Sequence, residues 1–200
     1  MSMADVKTGA TKWVFTNDSS SGFGFPSIPQ DGNVYVSTYE GIVRAIGART
    51  GNEAWKIDAG KWISAITAGG GSVYLHHADN VLHALDAKTG QEKWTYNAGA
   101  ALESGLLAAG GTVYVKSGNA VICLRPEDGS EVWTTGKKTS GNWTTYFAMR
   151  GGILYFGGAG SLCALDAVTG ADKWTCQLEG DVVGEPVLSG ADPTVPDVYV

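Results

Sequence analysis

The side chains best suited to chemistry in this 200-residue sequence fall into a few small sets. His76 and His77, with Asp79 just beyond, are potential metal ligands, because imidazole and carboxylate together suit borderline divalent cations. Adjacent residues of an extended strand point to opposite faces, so at most one of the two histidines serves a given site. With no third ligand identifiable, a surface histidine pair is expected there, and no metal. Glu103 and Glu185 occupy similar places in the sequence and are read as a carboxylate pair or, more simply, as solvated acids. Trp62, Trp143 and Tyr146 lie among lysines, acids and asparagines, a mixture that at a concave surface grips a small ligand or a peptide. Cys123, Cys163 and Cys176 are odd in number and lack C-x-x-C spacing, which argues against a disulfide framework and against zinc. There is no G-x-S-x-G elbow, no phosphate-binding Gly-rich loop and no dinucleotide fingerprint.

Charge narrows the partners. Lys and Arg number 14 against 20 Asp and Glu, a net charge of -6, so a phosphate backbone or an anionic membrane surface finds no basic footprint here. Nucleic acid and membrane insertion are therefore not expected, and the partner expected is a protein or a small molecule, or a second copy of the chain through open sheet edges. No run reaches the 18 to 20 apolar residues of a spanning helix, and the N-terminus lacks the charged, apolar and small-residue sequence of a signal peptide. The compartment is left unassigned.

The elements that must position these side chains follow from a repeat. Trp13, Trp55, Trp94, Trp133 and Trp174 succeed one another at gaps of 42, 39, 39 and 41, each four residues after a glycine. Tyr35, Tyr74, Tyr114, Tyr155 and Tyr199 recur at gaps of 39, 40, 41 and 44, and Trp follows Tyr by 19 or 20 residues in each full unit. Each Tyr sits in a short β-branched and aromatic run bounded by glycine, such as Ser72-Val73-Tyr74-Leu75, which predicts a buried strand and is too short for a helix. A second apolar run, such as Val81 to Leu85, leads into Asp86-Ala87-Lys88-Thr89-Gly90, a turn in which the carboxylate accepts backbone N–H groups and Gly supplies positive φ. Trp94 then lies on the returning strand, and a further apolar run precedes each Tyr strand. Four short antiparallel strands per period of about 40 residues predict the blade of a β-propeller.

Ala84 to Trp94 and Ala164 to Trp174 both read A-x-D-x-x-T-G-x-x-x-W, with a near copy at Asp5 to Trp13 and drifted copies before Gly51 and Gly129. The pattern resembles the tryptophan-docking motif of pyrroloquinoline quinone (PQQ) type propeller repeats. The resemblance covers essentially the whole chain, and it implies that Trp13, Trp55, Trp94, Trp133 and Trp174 are structural, packed between adjacent blades. The family includes quinoprotein dehydrogenases, an outer-membrane assembly lipoprotein and sensor regions of bacterial serine/threonine kinases, many of them extracytoplasmic, so fold alone does not assign activity. The dehydrogenases hold PQQ against a vicinal cysteine pair, with calcium on Glu, Asn and Asp, inside roughly eight blades. This sequence has no adjacent cysteines, so neither PQQ nor calcium is expected.

The expected fold is thus all-β, a propeller of four-stranded antiparallel blades, in one domain over residues 1–200. Complete repeats occupy approximately 16–57, 58–96, 97–136 and 137–177. A fifth blade is divided between 1–15 and 178–200, or else the sequence is a segment of a larger propeller, as an end in mid-strand at Asp197 to Val200 suggests. Loops between blades and between second and third strands share one face of a propeller, and these carry Trp62, His76, Glu103, Trp143, Tyr146 and Glu185, the candidate ligand-binding residues. No catalytic and no metal-binding residues are expected. The expected function is a non-catalytic binding or scaffolding module acting through that loop-rich face. A fragment of a quinoprotein dehydrogenase and a sensor propeller of a kinase or envelope lipoprotein are the alternatives.

Overall fold

A computed structural model describes residues 1–5, 7–18, 22–24, 26, 27, 30–77, 79–136, 146–158, 160–180, 186–189 and 197–199, with the side chains of 104, 197 and 199 left aside. The described chain is all β. An outer hairpin, β1 (Ser2–Ala4) and β2 (Thr11–Val14), comes first, followed by a sheet of β3 (Asn33–Ser37), β4 (Ile42–Gly47) and β5 (Glu53–Asp58). Three four-stranded meanders follow: β6 (Ala65–Gly69) to β7 (Ser72–His76), β8 (Val81–Asp86) and β9 (Glu92–Asn97); β10 (Leu102–Ala109) to β11 (Thr112–Ser117), β12 (Ala120–Leu124) and β13 (Glu131–Thr134); β14 (Phe147–Arg150) to β15 (Ile153–Gly158), β16 (Ser161–Asp166) and β17 (Asp172–Gln177). A second two-stranded sheet, β18 (Val187–Ser189) with β19 (Asp197–Tyr199), closes the order. In the first full blade the innermost position is held by an irregular segment, where Phe23 bridges Thr38 and the N–H groups of Gly24 and Ser27 donate to the Ser37 and Tyr35 carbonyls.

Turn chemistry explains the meander. The first and second strands of successive blades are joined by Gly70-Gly71, Gly110-Gly111 and Gly151-Gly152, with φ between +59° and +79° at all six residues, the two-residue turn whose twist matches that of the flanking strands. The third and fourth strands are joined by the aspartate turn. Asp86 Oδ1 accepts the N–H groups of Lys88 and Thr89 at 3.0 and 2.9 Å and the Thr89 hydroxyl at 3.0 Å. Asp166 and Asp5 repeat the cage. The Thr169 N–H and the Lys173 ammonium hold the Asp166 carboxyl down at about 2.

Across each blade Tyr, a small residue and Trp stand in one row: Tyr35–Ala45–Trp55, Tyr74–Ala84–Trp94, Tyr114–Cys123–Trp133 and Tyr155–Ala164–Trp174. The small middle residue lets the two rings meet above it, with centroids 5.7 to 5.9 Å apart. The Trp then reaches the next blade. Trp13, Trp55, Trp94 and Trp133 donate Nε1–H to the carbonyls of Ala48, Ala87, Pro126 and Ala167, at 3.0, 3.0, 2.9 and 3.3 Å. Each indole also lies on the glycine of the same turn, Gly51, Gly90, Gly129 or Gly170, where a Cβ would come within 2.6 to 2.9 Å of the ring. Glycine is thus required twice at these positions, for φ near +73° and for contact.

The Tyr hydroxyl joins where the turn allows it. Tyr35 and Tyr114 donate to the same carbonyls as their blade's Trp, Ala87 at 3.1 Å and Ala167 at 3.0 Å. The Tyr74 hydroxyl is buried beside the drifted Arg125-Pro126 turn and has no hydrogen-bond partner among the described residues. Three apolar cores fill the spaces between successive blades from the first full blade to the fourth, for example Tyr35, Val43 and Ile63 against Val73, Leu75 and Leu85. On the inner side β6 packs on β10, with Gly69 against Ala108, and β10 packs on β14, so the blades fan out from their innermost strands.

Four outcomes are expected from this arrangement. In thermal or urea unfolding, Trp94→Ala lowers stability by about 3 to 5 kcal/mol, as a large truncation between blades. Gly129→Ala is worse than Gly99→Ala, since both carry φ near +70° but only Gly129 touches an indole. Tyr74→Phe is neutral or stabilising, whereas Tyr114→Phe costs about 1 kcal/mol, because only the latter removes a made hydrogen bond. For Asp166, whose pKa is lowered on folding, stability is gained above the ordinary carboxylate range and lost as pH falls toward 2. The Tm deficit of Asp166→Ala is therefore largest near neutrality and shrinks below pH 4.

Candidate functional site

The connections after the second and fourth strands of each blade gather on the face opposite the aspartate turns. There the loop Tyr39-Glu40-Gly41 is pressed against Lys61-Trp62: a Cβ on Gly41, whose φ is +92°, would overlap the Lys61 backbone, and the Ala59 N–H donates to the Gly41 carbonyl at 2.9 Å. The two loops hold up two aromatic rings, with Tyr39 61% and Trp62 56% exposed. Gly22 lies beneath the Tyr39 ring. Lys61 pairs with Asp79 at 3.2 Å across to the next loop. The result is an exposed aromatic pair on a braced base, edged by Glu40, Lys61 and Asp79.

His76 and His77 are not the surface pair expected from their polarity. His76 is fully buried at the end of β7 and His77 is nearly so. Strand β7 is covered on both faces, so its terminal side chain enters the space between blades rather than solvent. His76 Nδ1 lies 3.0 Å from the His77 carbonyl, and burial holds its pKa below the ordinary range, leaving it neutral at pH 7. His77 Nδ1 sits 3.3 Å from the Trp62 carbonyl, which ties the aromatic loop to the blade beneath it. Its ring meets His83 edge-on at 5.5 Å, and His83 in turn contacts Glu92 at 2.8 Å. These rings edge a cleft of about 260 Å³ floored by Ile57, Leu75 and Leu85. Among the described residues no three His, Cys, Asp or Glu side chains gather as a metal would require.

Glu103 is not a solvated acid: it is ion-paired with Lys116, whose side chain is completely buried. Lys116 stands two residues beyond Tyr114, as His76 stands beyond Tyr74 and Ser37 beyond Tyr35, all three buried. This polar row was missed because Lys116 sits in an apolar strand whose register is fixed only by the Tyr series. Tyr146 is half-buried at the entry to β14, two blades on from Trp62. Trp143 and Glu185 lie outside the described residues. The second sizeable cleft, about 410 Å³, is apolar and lies where β10, β14 and the residues around β18 converge, lined by Leu107, Phe147, Met149 and Val187.

The cysteines are dispersed. Cys123 and Cys163 are buried on β12 and β16, and burial pushes the Cys123 thiol up to about 11, while Cys176 is exposed on β17. No two of these cysteines are adjacent, and all three are free.

The family model described as outer membrane protein assembly factor BamB matches residues 2–142 and again 117–196. Among solved structures, BamB from Moraxella catarrhalis is similar at 24% identity and a TM-score of 0.71, over 82% of this chain and 52% of that one. The computationally designed Ika8 protein overlays at 19% identity and a TM-score of 0.77, over 99% and 64%. The quinohemoprotein alcohol dehydrogenase ADHIIG from Pseudomonas putida HK5 overlays at 21% identity and 0.65, over 86% and 37%. The chain thus spans about half the length of the BamB structure and less than two thirds of the other two. No curated protein sequence matches it significantly.

The buried ion pair makes a further prediction. Glu103→Gln strands the Lys116 ammonium and lowers unfolding stability by about 3 kcal/mol or more, whereas Lys116→Met combined with Glu103→Gln recovers most of the loss.

Proposed function

The chain belongs to the family described as outer membrane protein assembly factor BamB, of PQQ-like β-propeller repeat proteins, and from that premise we propose that it is a non-catalytic binding module. It engages an extended protein segment through its loop-rich face, as a scaffold and without PQQ or calcium. The observation that carries this reading is the exposed pair Tyr39 and Trp62. Large aromatic rings held outward by a braced base are costly to leave in water, and their edges of mixed charge supply polar contacts for a peptide backbone. The word assembly in the name of the BamB relative agrees with a role in holding other chains. The buried neutral His76 and the closed Glu103–Lys116 pair support the loop face from beneath and take no part in proton transfer.

Selection of random linear peptides on the immobilised chain tests the proposal. Enriched peptides are expected, and Trp62→Ala with Tyr39→Ala is expected to weaken their binding at least tenfold while leaving the unfolding midpoint nearly unchanged. A library from which nothing is enriched, or peptides that bind the double variant equally well, would contradict the reading. So would a quinone absorbance band that remains with the protein after PQQ and calcium are added and the excess is removed.

A further inference from the structure

Each of the first three blade junctions sets a side chain two residues after one docking Trp against an acid two residues before the next. Phe15, Ile57 and Tyr96 hold the first position, and Glu53, Glu92 and Glu131 the second. At two of these junctions an aromatic ring takes up the space. Phe15 lies against the Arg44 guanidinium, 5.7 Å from its ring centroid, and Arg44 is ion-paired with Glu53. Tyr96 packs on the core that contains Val115 and Leu124, and its hydroxyl donates to Glu131 at 2.9 Å. Burial and the Glu131 charge push that hydroxyl up to about 12, so it stays a donor at neutral pH.

The junction between these two has no such ring. Ile57 stands there instead, and the cleft of about 260 Å³ opens beside it, lined by Leu75, Leu85, Asp58, His77, His83 and Glu92. Leu75 follows Tyr74 as Val115 follows Tyr114, and Leu85 follows Ala84 as Leu124 follows Cys123, so the floor is the surface on which Tyr96 lies one junction further on. His83 Nδ1 lies 2.8 Å from Glu92, whose side chain is 53% exposed and so within reach of a ligand. We infer that this cleft binds a small monophenol in the place that Tyr96 fills at the following junction, with the ring on Leu75 and Leu85 and the hydroxyl donating to Glu92. The site is separate from the loop face, since neither Tyr39 nor Trp62 lines it. Its size suits a single ring, being below the roughly 300 Å³ at which sites for drug-sized ligands begin. Charge selects among phenols. Asp58 and Glu92 line the cleft and no lysine or arginine is among its described lining residues, so a cationic phenol such as tyramine is favoured and an aryl carboxylate is repelled.

Titration of the intact chain with tyramine at constant pH, read from the imidazole proton resonances of its three histidines, tests this. Saturable shifts at His77 and His83 are expected, with the roughly millimolar dissociation constant of so small a ligand. Phenethylamine, which lacks the hydroxyl, is expected to bind at least about fivefold more weakly, and para-hydroxybenzoate not measurably. Glu92→Gln is expected to keep the native unfolding midpoint and to weaken tyramine at least about fivefold. Ile57→Tyr supplies the ring from the chain itself, and is expected to abolish tyramine binding with the midpoint unchanged or raised. No saturable shift at about tens of millimolar tyramine, phenethylamine binding as tightly as tyramine, or an unaltered affinity in Glu92→Gln would each overturn the inference. So would a folded Ile57→Tyr variant that binds tyramine as the wild type does.

Discussion

The hydrogen bond from an indole N–H to a turn carbonyl in the following blade is the constraint on which the rest of the structure depends. A single antiparallel sheet of four short strands has two apolar faces and cannot bury either alone. The indole supplies a direction and a distance: it donates to the carbonyl one residue past the aspartate position, and its ring covers the glycine three residues further on. That places each aspartate turn against the preceding blade's outer strand. The apolar cores between blades then fill around a spacing already set at the outer side by the indole and at the inner side by small residues such as Gly69 and Ala108. A large residue at either end of this span would tilt the blades apart.

Much of this was legible in the sequence because a repeat repeats its constraints. The Tyr and Trp periods and the glycine four residues ahead of each Trp predicted strands, turns and blades, and the Tyr–Ala–Trp row explains why the two series stay 19 or 20 residues apart. What a linear pattern could not display was the acceptor. A backbone carbonyl has no residue type, so the partner of each indole, and the shared use of Ala87 and Ala167 by Tyr hydroxyls, appear only in three dimensions. The orphaned Tyr74 hydroxyl marks the turn that drifted to Arg125-Pro126.

The candidate site was read less well, for a physical reason. Polarity predicts exposure for His76, yet His76, like Lys116, sits toward the end of a second strand that is covered on both faces. Glu103 finds its partner across a hairpin with a register shift, so spacing did not betray the pair. Trp62 is legible in the sequence among its polar neighbours, but Tyr39 joins it only through the contact between Gly41 and Lys61, which brings the β3–β4 loop against the connection from β5 to β6. The polar row thus lies beneath the face on which Tyr39 and Trp62 stand exposed.

The most direct measurement on this account is hydrogen exchange at the tryptophan indole N–H groups, resolved by nuclear magnetic resonance in dilute solution of the intact chain. The account predicts slow exchange for Trp13, Trp55, Trp94 and Trp133, whose protons are held by carbonyls of the next blade, and fast exchange for Trp62, whose ring stands in solvent. Uniformly fast exchange of the four docking indoles, at the rate of Trp62, would show that the blades are not held by this bond and would contradict the account.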